Sequence, residues 1–269
     1  MIQELFRVGP IAISPFGVLL VLAFLAAYFQ LRWGLKRLRI GDEETASALV
    51  LAGGIGGVVG AKLYYAALHG DWRLLFSRWG LVWYGGFLLG TAALLWTMRR
   101  RRLPFWPTFD AAAPALALGY GVGRIGCFLV GDDYGVPTDL PWGIAFADGL
   151  PPTTAYYLRH EFGVAVPAGV ADDALLRVHP TQIYETLAAL AIWFVGVRLL
   201  RRGLAPGRVG LAVVALLAVE RFAVEILRAK DDRFLGGFTL AQLISVALVL
   251  AAAALWGWRG RAAEGGGGA

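Results

Sequence analysis

One cysteine, Cys127, stands in 269 residues, and histidine occurs three times, at His69, His160 and His179. A single thiol forms no intramolecular disulfide, no CxxC redox pair and no thiolate metal cluster. The histidines are too scattered along the chain to mark a metal site by themselves, so neither metal nor cofactor is expected. Charge is scarce as well: Asp, Glu, Lys and Arg make up 16% of the residues, against roughly 25% in soluble domains. The formal charge of +6 and the pI near 9.7 are those of many nucleic-acid binders. The basic residues, however, fall in short clusters between apolar runs instead of along one face, so nucleic acid is not an expected partner. The signal-peptide pattern of a basic start, an apolar stretch and a small-residue cleavage site is missing too, and the first apolar run is expected to be retained. No long internal repeat is evident, which argues against the inverted-repeat architecture of many transporters.

Apolar sequence, by contrast, is abundant: 58% of the residues are hydrophobic and the mean hydropathy is +0.62. A bilayer-crossing helix needs about 20 mostly apolar residues, and seven stretches approach that, at 12–31, 45–68, 80–98, 108–130, 181–200, 208–227 and 238–257. Ten Trp and nine Tyr add the amphipathic rings that collect at bilayer interfaces. The expected fold is therefore an all-α integral membrane protein with seven transmembrane helices. Between spans four and five, residues 131–180 are rich in Pro, Gly and Asp and include a strand-like stretch at 142–146, as expected of a small extracytoplasmic head. The expected divisions are spans one to four in 1–130, the head in 131–180, spans five to seven in 181–260, and a flexible, glycine-rich cytoplasmic tail in 261–269.

Loop charges orient the spans. Arg32, Lys36, Arg37 and Arg39 follow the first, Arg99 to Arg102 follow the third, and Arg198, Arg201, Arg202 and Arg208 surround the turn after the fifth. These are alternate loops, so the positive-inside rule places the N-terminus outside and the C-terminal tail, with Arg259 and Arg261, in the cytoplasm. The turn from Arg228 to Arg233 breaks the rule, with Asp231 and Asp232 beside its three basic residues; it is read as part of a site.

A mid-helix Arg or Lys costs roughly 2.5 to 3.5 kcal/mol on insertion scales, so intramembrane charge faces a protein interior, a cavity or an interface. Lys62, Arg124 and Arg221 fall in spans. Lys62 lies near an outer helix end, where its stem has the reach to snorkel. In the same span Gly53 with Gly57 and Gly56 with Gly60 form two GxxxG pairs, better explained by close helix packing than by a ligand. Arg221, Glu225 and Arg228 share one helix face at i, i+4 and i+7, a basic, acidic, basic stripe that reads either as a helix–helix salt bridge or as an anion site aligned by Glu225. Glu220 points about 100° away. Gln182 and Glu185 share a face beside His179, while His179–Pro180 also suits a plain helix start. Gly121, Gly123 and Gly126 match GxGxxG around Arg124, but no strand precedes them, which disfavours a dinucleotide fold; the glycines instead permit close approach of a backbone or headgroup to the Arg124 fork.

Taken together, Trp83, Tyr84, Gly85, Gly86 with Gly90, the run 123–135, Trp142 to Phe146, His179 to Glu185, Arg221, Phe222, Glu225, Arg228, and Gln242 with Ser245 resemble the prolipoprotein diacylglyceryl transferases. The resemblance implies a seven-span enzyme of the bacterial inner membrane with an outer head. Such enzymes move the diacylglyceryl group of phosphatidylglycerol onto the lipobox cysteine in a preprolipoprotein signal peptide and release glycerol phosphate. It further implies that Arg124 and Arg221 hold the phosphate, that Glu225 orients them, that Tyr84 stands at the thiol-activating position, and that Gly135 shapes the entrance. Gly85, Gly86, Cys127, Asp132, His179, Gln182, Glu185, Arg228 and Gln242 are implied on the substrate side. Four positions depart from the family pattern: Phe16 replaces Tyr, Tyr84 His, Cys127 Asn and Asp132 Glu. A phenol titrates near 10 and is a poorer neutral-pH base than imidazole, so Tyr84 needs a nearby cation to act as one. Cys127 reads as a small buried hydrophobe before it reads as a nucleophile. Residues 152–177 match no motif and point to acceptor choice. A lipid-binding or transport protein that uses the same charged cavity without chemistry is the alternative.

Overall fold

The computed structural model describes residues 2, 4–9, 11–77, 82–230 and 233–265. Asp231 and Asp232 of the outer turn and the end of the glycine-rich tail, 266–269, lie outside them. A hairpin of β1 (Phe6–Val8) and β2 (Ile11–Ile13) leads into α1 (Pro15–Leu38), whose N-terminus is capped by the Ser14 hydroxyl accepting from the Gly17 N–H at 3.1 Å. Asp42 caps α2 (Glu43–His69) in the same way through the Thr45 N–H. A 3-10 turn (Trp72–Phe76), α3 (Trp83–Arg100) and α4 (Phe105–Val130) follow. Beyond the short α5 (Ala155–His160) come α6 (Thr181–Arg201) and α7 (Arg208–Glu225). A second hairpin, β3 (Arg233–Leu235) with β4 (Phe238–Thr239), precedes α8 (Leu240–Gly265). Hydrogen-bonded pairing is confined to these two hairpins and a few single bridges among the described residues.

Five helices, α1, α2, α4, α6 and α8, are long and apolar enough to cross a bilayer. The other two expected spans are 18 residues each: α3 ends in Arg99 and Arg100, and α7 carries Arg208, Glu220, Arg221 and Glu225. Large apolar side chains such as Val21, Leu51, Ile55, Leu88, Leu187, Phe194 and Leu250 point outward, the arrangement a lipid solvent permits and water penalises. The chain is a multi-pass membrane protein.

The centre belongs to α4. Half of its apolar window is buried, against a third or less in the other four, because α1, α6 and α7 all pack on it. One cluster joins Leu31 and Leu35 of α1 to Leu49 of α2 and Ala111 of α4; a second joins Ala117 of α4 to Ile192 of α6 and Val213 of α7. Small residues make this approach possible. Gly121 faces Ala189 of α6, and Gly126 faces Phe16 and Leu19 of α1, so the GxGxxG spacing serves helix packing. The GxxxG pairs do likewise: a Cβ on Gly60 would overlap the Gly85 carbonyl of α3, and one on Gly56 would come within 3.0 Å of the Leu89 carbonyl. Gly85 and Gly86 are the other half of that seam. Lys62 reaches the turn after the 3-10 helix, where its ammonium donates to the Ser77 carbonyl at 2.6 Å.

Residues 131–180 have their own aromatic core, in which Tyr134 and Phe146 stack at 5.6 Å with Leu158, Val178 and Ala229 around them. The strand expected at 142–146 is a single bridge, Ile144 to Val178, and the helix α5 was not foreseen. Ala229, beyond α7, belongs to this core, so the segment 131–180 is fastened to the turn after α7. Helix α8 runs to Gly265, past the tail boundary expected at 260.

Candidate functional site

Arg124 sits on α4 about two turns from its C-terminal end, 8% exposed. Its Nη2 donates to Glu185 of α6, and its Nη1 donates to Asp133 Oδ2 at 2.9 Å and lies 3.5 Å from Cys127 Sγ. Glu185, 1% exposed, is oriented in turn by the Tyr120 hydroxyl, which donates to its other oxygen at 2.8 Å. Tyr120 precedes Arg124 by one helical turn, so α4 offers both groups to the same carboxylate.

The turn after α4 is held open by backbone geometry. Gly131 (φ 73°) and Asp133 (φ 56°) both adopt left-handed conformations, which Asp tolerates better than most side chains. Around them, Gln182 donates to the Asp132 carbonyl at 2.5 Å and the Thr181 hydroxyl to the Asp133 carbonyl at 2.8 Å. Asp133 is thereby presented to two guanidiniums, accepting from Arg228 at 2.5 Å as well as from Arg124. Burial alone would raise its titration point, but Arg228 and Arg124 outweigh that and hold it below the usual carboxylate value. Asp132, next to it, has no such pairing. Its Oδ1 is buried without a hydrogen-bond partner, and burial, reinforced by Asp133, pushes its carboxyl up to about 6.

On α7, Arg221 approaches Glu225 to 2.5 Å, and Arg228 lies 4.0 Å from the same carboxylate. The Arg221–Glu225 pair is close but poorly aligned for a hydrogen bond, leaving Glu225 Oε2 and Arg221 Nη1 without one. A continuous string results: Tyr120, Glu185, Arg124, Asp133, Arg228, Glu225, Arg221. Three arginines alternate with three carboxylates, so the centre is more nearly balanced in charge than its arginines alone suggest. Six buried polar side chains around this string keep an atom without a partner: Arg124 Nε, Asp132 Oδ1, Gln182 Oε1, Glu220 Oε1, Arg221 Nη1 and Glu225 Oε2. Unsatisfied buried groups are rare in folded proteins, and such a concentration of donors and acceptors makes this the candidate site for a polar ligand.

Gly135 lies where residues 131–180 meet the start of α6 and the turn after α7. Its N–H donates to the His179 carbonyl at 2.8 Å, and a Cβ there would lie 2.5 Å from the Leu227 carbonyl and 2.7 Å from His179 Cβ. The His179 ring meets the Tyr184 hydroxyl at 3.2 Å, and Trp142 Nε1 donates to that hydroxyl at 2.8 Å. Burial lowers the titration point of His179. Gln242 is used locally: Gln242 Oε1 accepts from the Thr239 N–H and Thr239 Oγ1 from the Gln242 N–H, a capping box for α8. Tyr84 stands on the first turn of α3, 44% exposed, on a helix that packs against α2; Arg124 takes its partners from the other side. Cys127, Asp132 and Asp133 hold their donor atoms within 4.8 Å of one another, the one such set among the described residues, but two guanidiniums already compete for Asp133. Between the outer segment and the turn after α7 lies a cleft of about 450 Å³, lined by Asp132, Asp133, Leu150, Phe162, Arg228 and Lys230 among others.

Tyr120 lies outside the motifs named from the sequence, although its i−4 spacing from Arg124 carried a signal. Asp133, Thr181 and Tyr184 lie inside them, in the runs 123–135 and 179–185, but were given no role there.

Fold and site together define a polytopic membrane protein with a buried arginine–carboxylate centre near one end of its helices. The profile of the family described as prolipoprotein diacylglyceryl transferase matches residues 3–258. The chain belongs to this family. Among its relatives, a phosphatidylglycerol–prolipoprotein diacylglyceryl transferase of Stenotrophomonas maltophilia is 33% identical over 267 residues, covering 90% of this chain and 86% of the relative. One of the same name from Synechococcus elongatus is 31% identical over 260 residues, with 91% and 83% covered, and one from Vibrio vulnificus is 28% identical over 266 residues, with 94% and 89% covered.

Proposed function

We propose that this chain transfers the diacylglyceryl group of phosphatidylglycerol to the lipobox cysteine thiol of a preprolipoprotein. It does so as a seven-span protein of the bacterial cytoplasmic membrane, with the N-terminus and the head formed by 131–180 outside. The observation that carries the reading is the concentration of unpartnered buried polar atoms, Arg124 Nε and Arg221 Nη1 among them, on a string of three arginines. Donors of this kind in a water-poor site are suited to a phosphodiester, and they gain strength as the leaving phosphate gains charge.

In the reaction, thiolate sulfur attacks the glyceryl carbon that bears the phosphate. A carbon–sulfur bond forms, the carbon–oxygen bond to phosphate breaks, and glycerol phosphate departs with the electron pair. Arg124 and Arg221 bind the phosphate. Glu185 with Tyr120, and Glu225 with Arg228, fix the guanidinium planes, while Gly135, His179, Gln182 and Asp132 shape the outer entrance. Gly85 and Gly86 keep α3 against α2, and Gln242 sets the start of α8. The test is mass spectrometry of a lipobox peptide incubated with purified protein and phosphatidylglycerol. A diacylglyceryl adduct together with free glycerol phosphate is expected. No adduct where an established family enzyme forms one overturns the assignment, and lipid binding without glycerol phosphate release points to a carrier instead.

A further inference from the structure

Thiolate chemistry needs a proton acceptor, and the string of charges narrows where it can be. Glu185 accepts from Tyr120 and Arg124. Glu225 stands between Arg221 and Arg228, and Asp133 accepts from Arg124 and Arg228. A carboxylate flanked by two cationic or hydrogen-bonding groups is a weak base, because its ionised form is the stabilised one; Glu220, whose Oε1 is also buried without a partner, is not among the residues that line the cleft. Asp132 differs from its neighbour Asp133 in having no guanidinium hydrogen bond; its side chain meets the Cys127 thiol instead. Its Oδ1 is buried and unpartnered, the residue lines the cleft of about 450 Å³, and its backbone is fixed by Gln182 on the carbonyl and by the Cys127 carbonyl on the N–H. The two adjacent acids are driven apart, Asp133 downward and Asp132 up to about 6. A pair of titratable groups separated by environment in this way marks a division of roles, one electrostatic and one acid–base.

We infer that the cleft between the outer segment and the turn after α7 receives the acceptor cysteine, and that Asp132 is the catalytic residue that takes its thiol proton. This rests on the transferase reading above. The proton moves from sulfur to the Asp132 carboxylate as sulfur bonds to the glyceryl carbon; the departing glycerol phosphate carries away the electron pair of the broken bond, and the proton leaves Asp132 to solvent through the cleft. Leu150 and Phe162 give the cleft an apolar wall beside its charged one, a fit for a cysteine flanked by small apolar residues. Tyr84, the thiol-activating candidate by sequence position, sits on α3, away from this cleft's lining.

The experiment follows adduct formation from phosphatidylglycerol and a lipobox peptide at pH 5 to 9.5 by the purified wild type, Asp132→Asn, Asp132→Glu and Tyr84→Phe. The charged and titratable groups facing Asp132 are Asp133, Cys127, Arg124 and Arg228, with Glu161 and Lys230 lining the same cleft; the acid limb is assigned to Asp132. The wild type should lose kcat/KM below about pH 6. At neutral pH Asp132→Asn should lower kcat on the order of 100-fold with the KM for lipid little changed, and Asp132→Glu should restore most of it. The deficit of Asp132→Asn should shrink severalfold as pH passes the free thiol's titration near 8.5, because the acceptor then arrives ionised; a merely structural defect is pH-independent. A deficit constant across pH, or kcat within about threefold of wild type, overturns the inference. So does loss of the acid limb in Tyr84→Phe with Asp132→Asn unaffected. A wild type that forms no adduct at any pH overturns instead the transferase reading on which the inference rests.

Discussion

Arg124 carries its function through geometry as much as through charge. Its guanidinium spans Glu185 on one side and Asp133 on the other, which a planar fork achieves and an ammonium does not. Arg124→Lys keeps a cation opposite the buried Glu185, avoiding the uncompensated charge that an alanine would leave, but it cannot hold both acids and a phosphate at once. The expected outcome is a protein that still folds in detergent, with its rate of adduct formation down on the order of 100-fold; a rate within about threefold of wild type would remove the forked arginine from the mechanism. Gly135 is a second residue whose role is spatial. Gly135→Ala places a methyl against the Leu227 carbonyl and His179, so the turn bearing Arg228 must shift. We expect at least a tenfold loss of kcat/KM with little change in thermal stability, read by the same adduct assay and a melting curve.

At the scale of elements, α4 and α7 are joined by a contact that no local pattern announces. Asp110, 2% exposed, accepts from the backbone N–H groups of Gly207 at 2.6 Å and Gly210 at 2.7 Å. An acid from one helix thus satisfies the first free donors of another and meets the positive end of its dipole. Asp110→Ala would orphan both donors at a cost of about 3 kcal/mol, seen as a drop of several degrees in Tm, and would lower activity only as far as α7 loosens. The contrast with α7's other end explains what was legible in the sequence. Arg221, Glu225 and Arg228 were readable as one stripe because helical spacing alone brings them together. The links of Arg124 to Glu185, Tyr120 to Glu185 and Asp133 to Arg228 join residues 61, 65 and 95 positions apart, and no periodicity reports such pairs. The helices were legible because lipid-facing surfaces demand long apolar runs, whereas hairpins of two or three residues per strand, β1–β2 and β3–β4, are too short to display an alternation. At 142–146 the alternation was present, but only Ile144 finds a partner.

For the whole molecule, the loop charges and the contacts agree on two ends. At one, Arg37 donates to the Arg201 carbonyl at 2.8 Å, Lys36 pairs with Glu43 and Arg101 with Glu44, so the loops after α1, α3 and α6 lie together. At the other, the Gly135 N–H meets His179, and Val136 meets Leu227, bringing the outer segment, the start of α6 and the end of α7 over the arginine string. Helices that run alternately between these ends put the basic clusters at 32–39, 99–102 and 198–208 on one side, with Arg228 and Lys230 at the other; in the orientation we propose, the positive-inside rule makes the first side the cytoplasm. On that proposed orientation the site opens toward the opposite face, where phosphatidylglycerol headgroups and a translocated acceptor would meet it. The arrangement is testable because the native thiol, Cys127, is buried and removable. In a Cys127→Ala background, Glu161→Cys should react in intact spheroplasts with a membrane-impermeant maleimide, while Arg202→Cys should react only after permeabilisation. The reverse pattern would place the arginine string on the cytoplasmic side, and labelling of both in intact cells would mean that the two ends do not face opposite compartments at all.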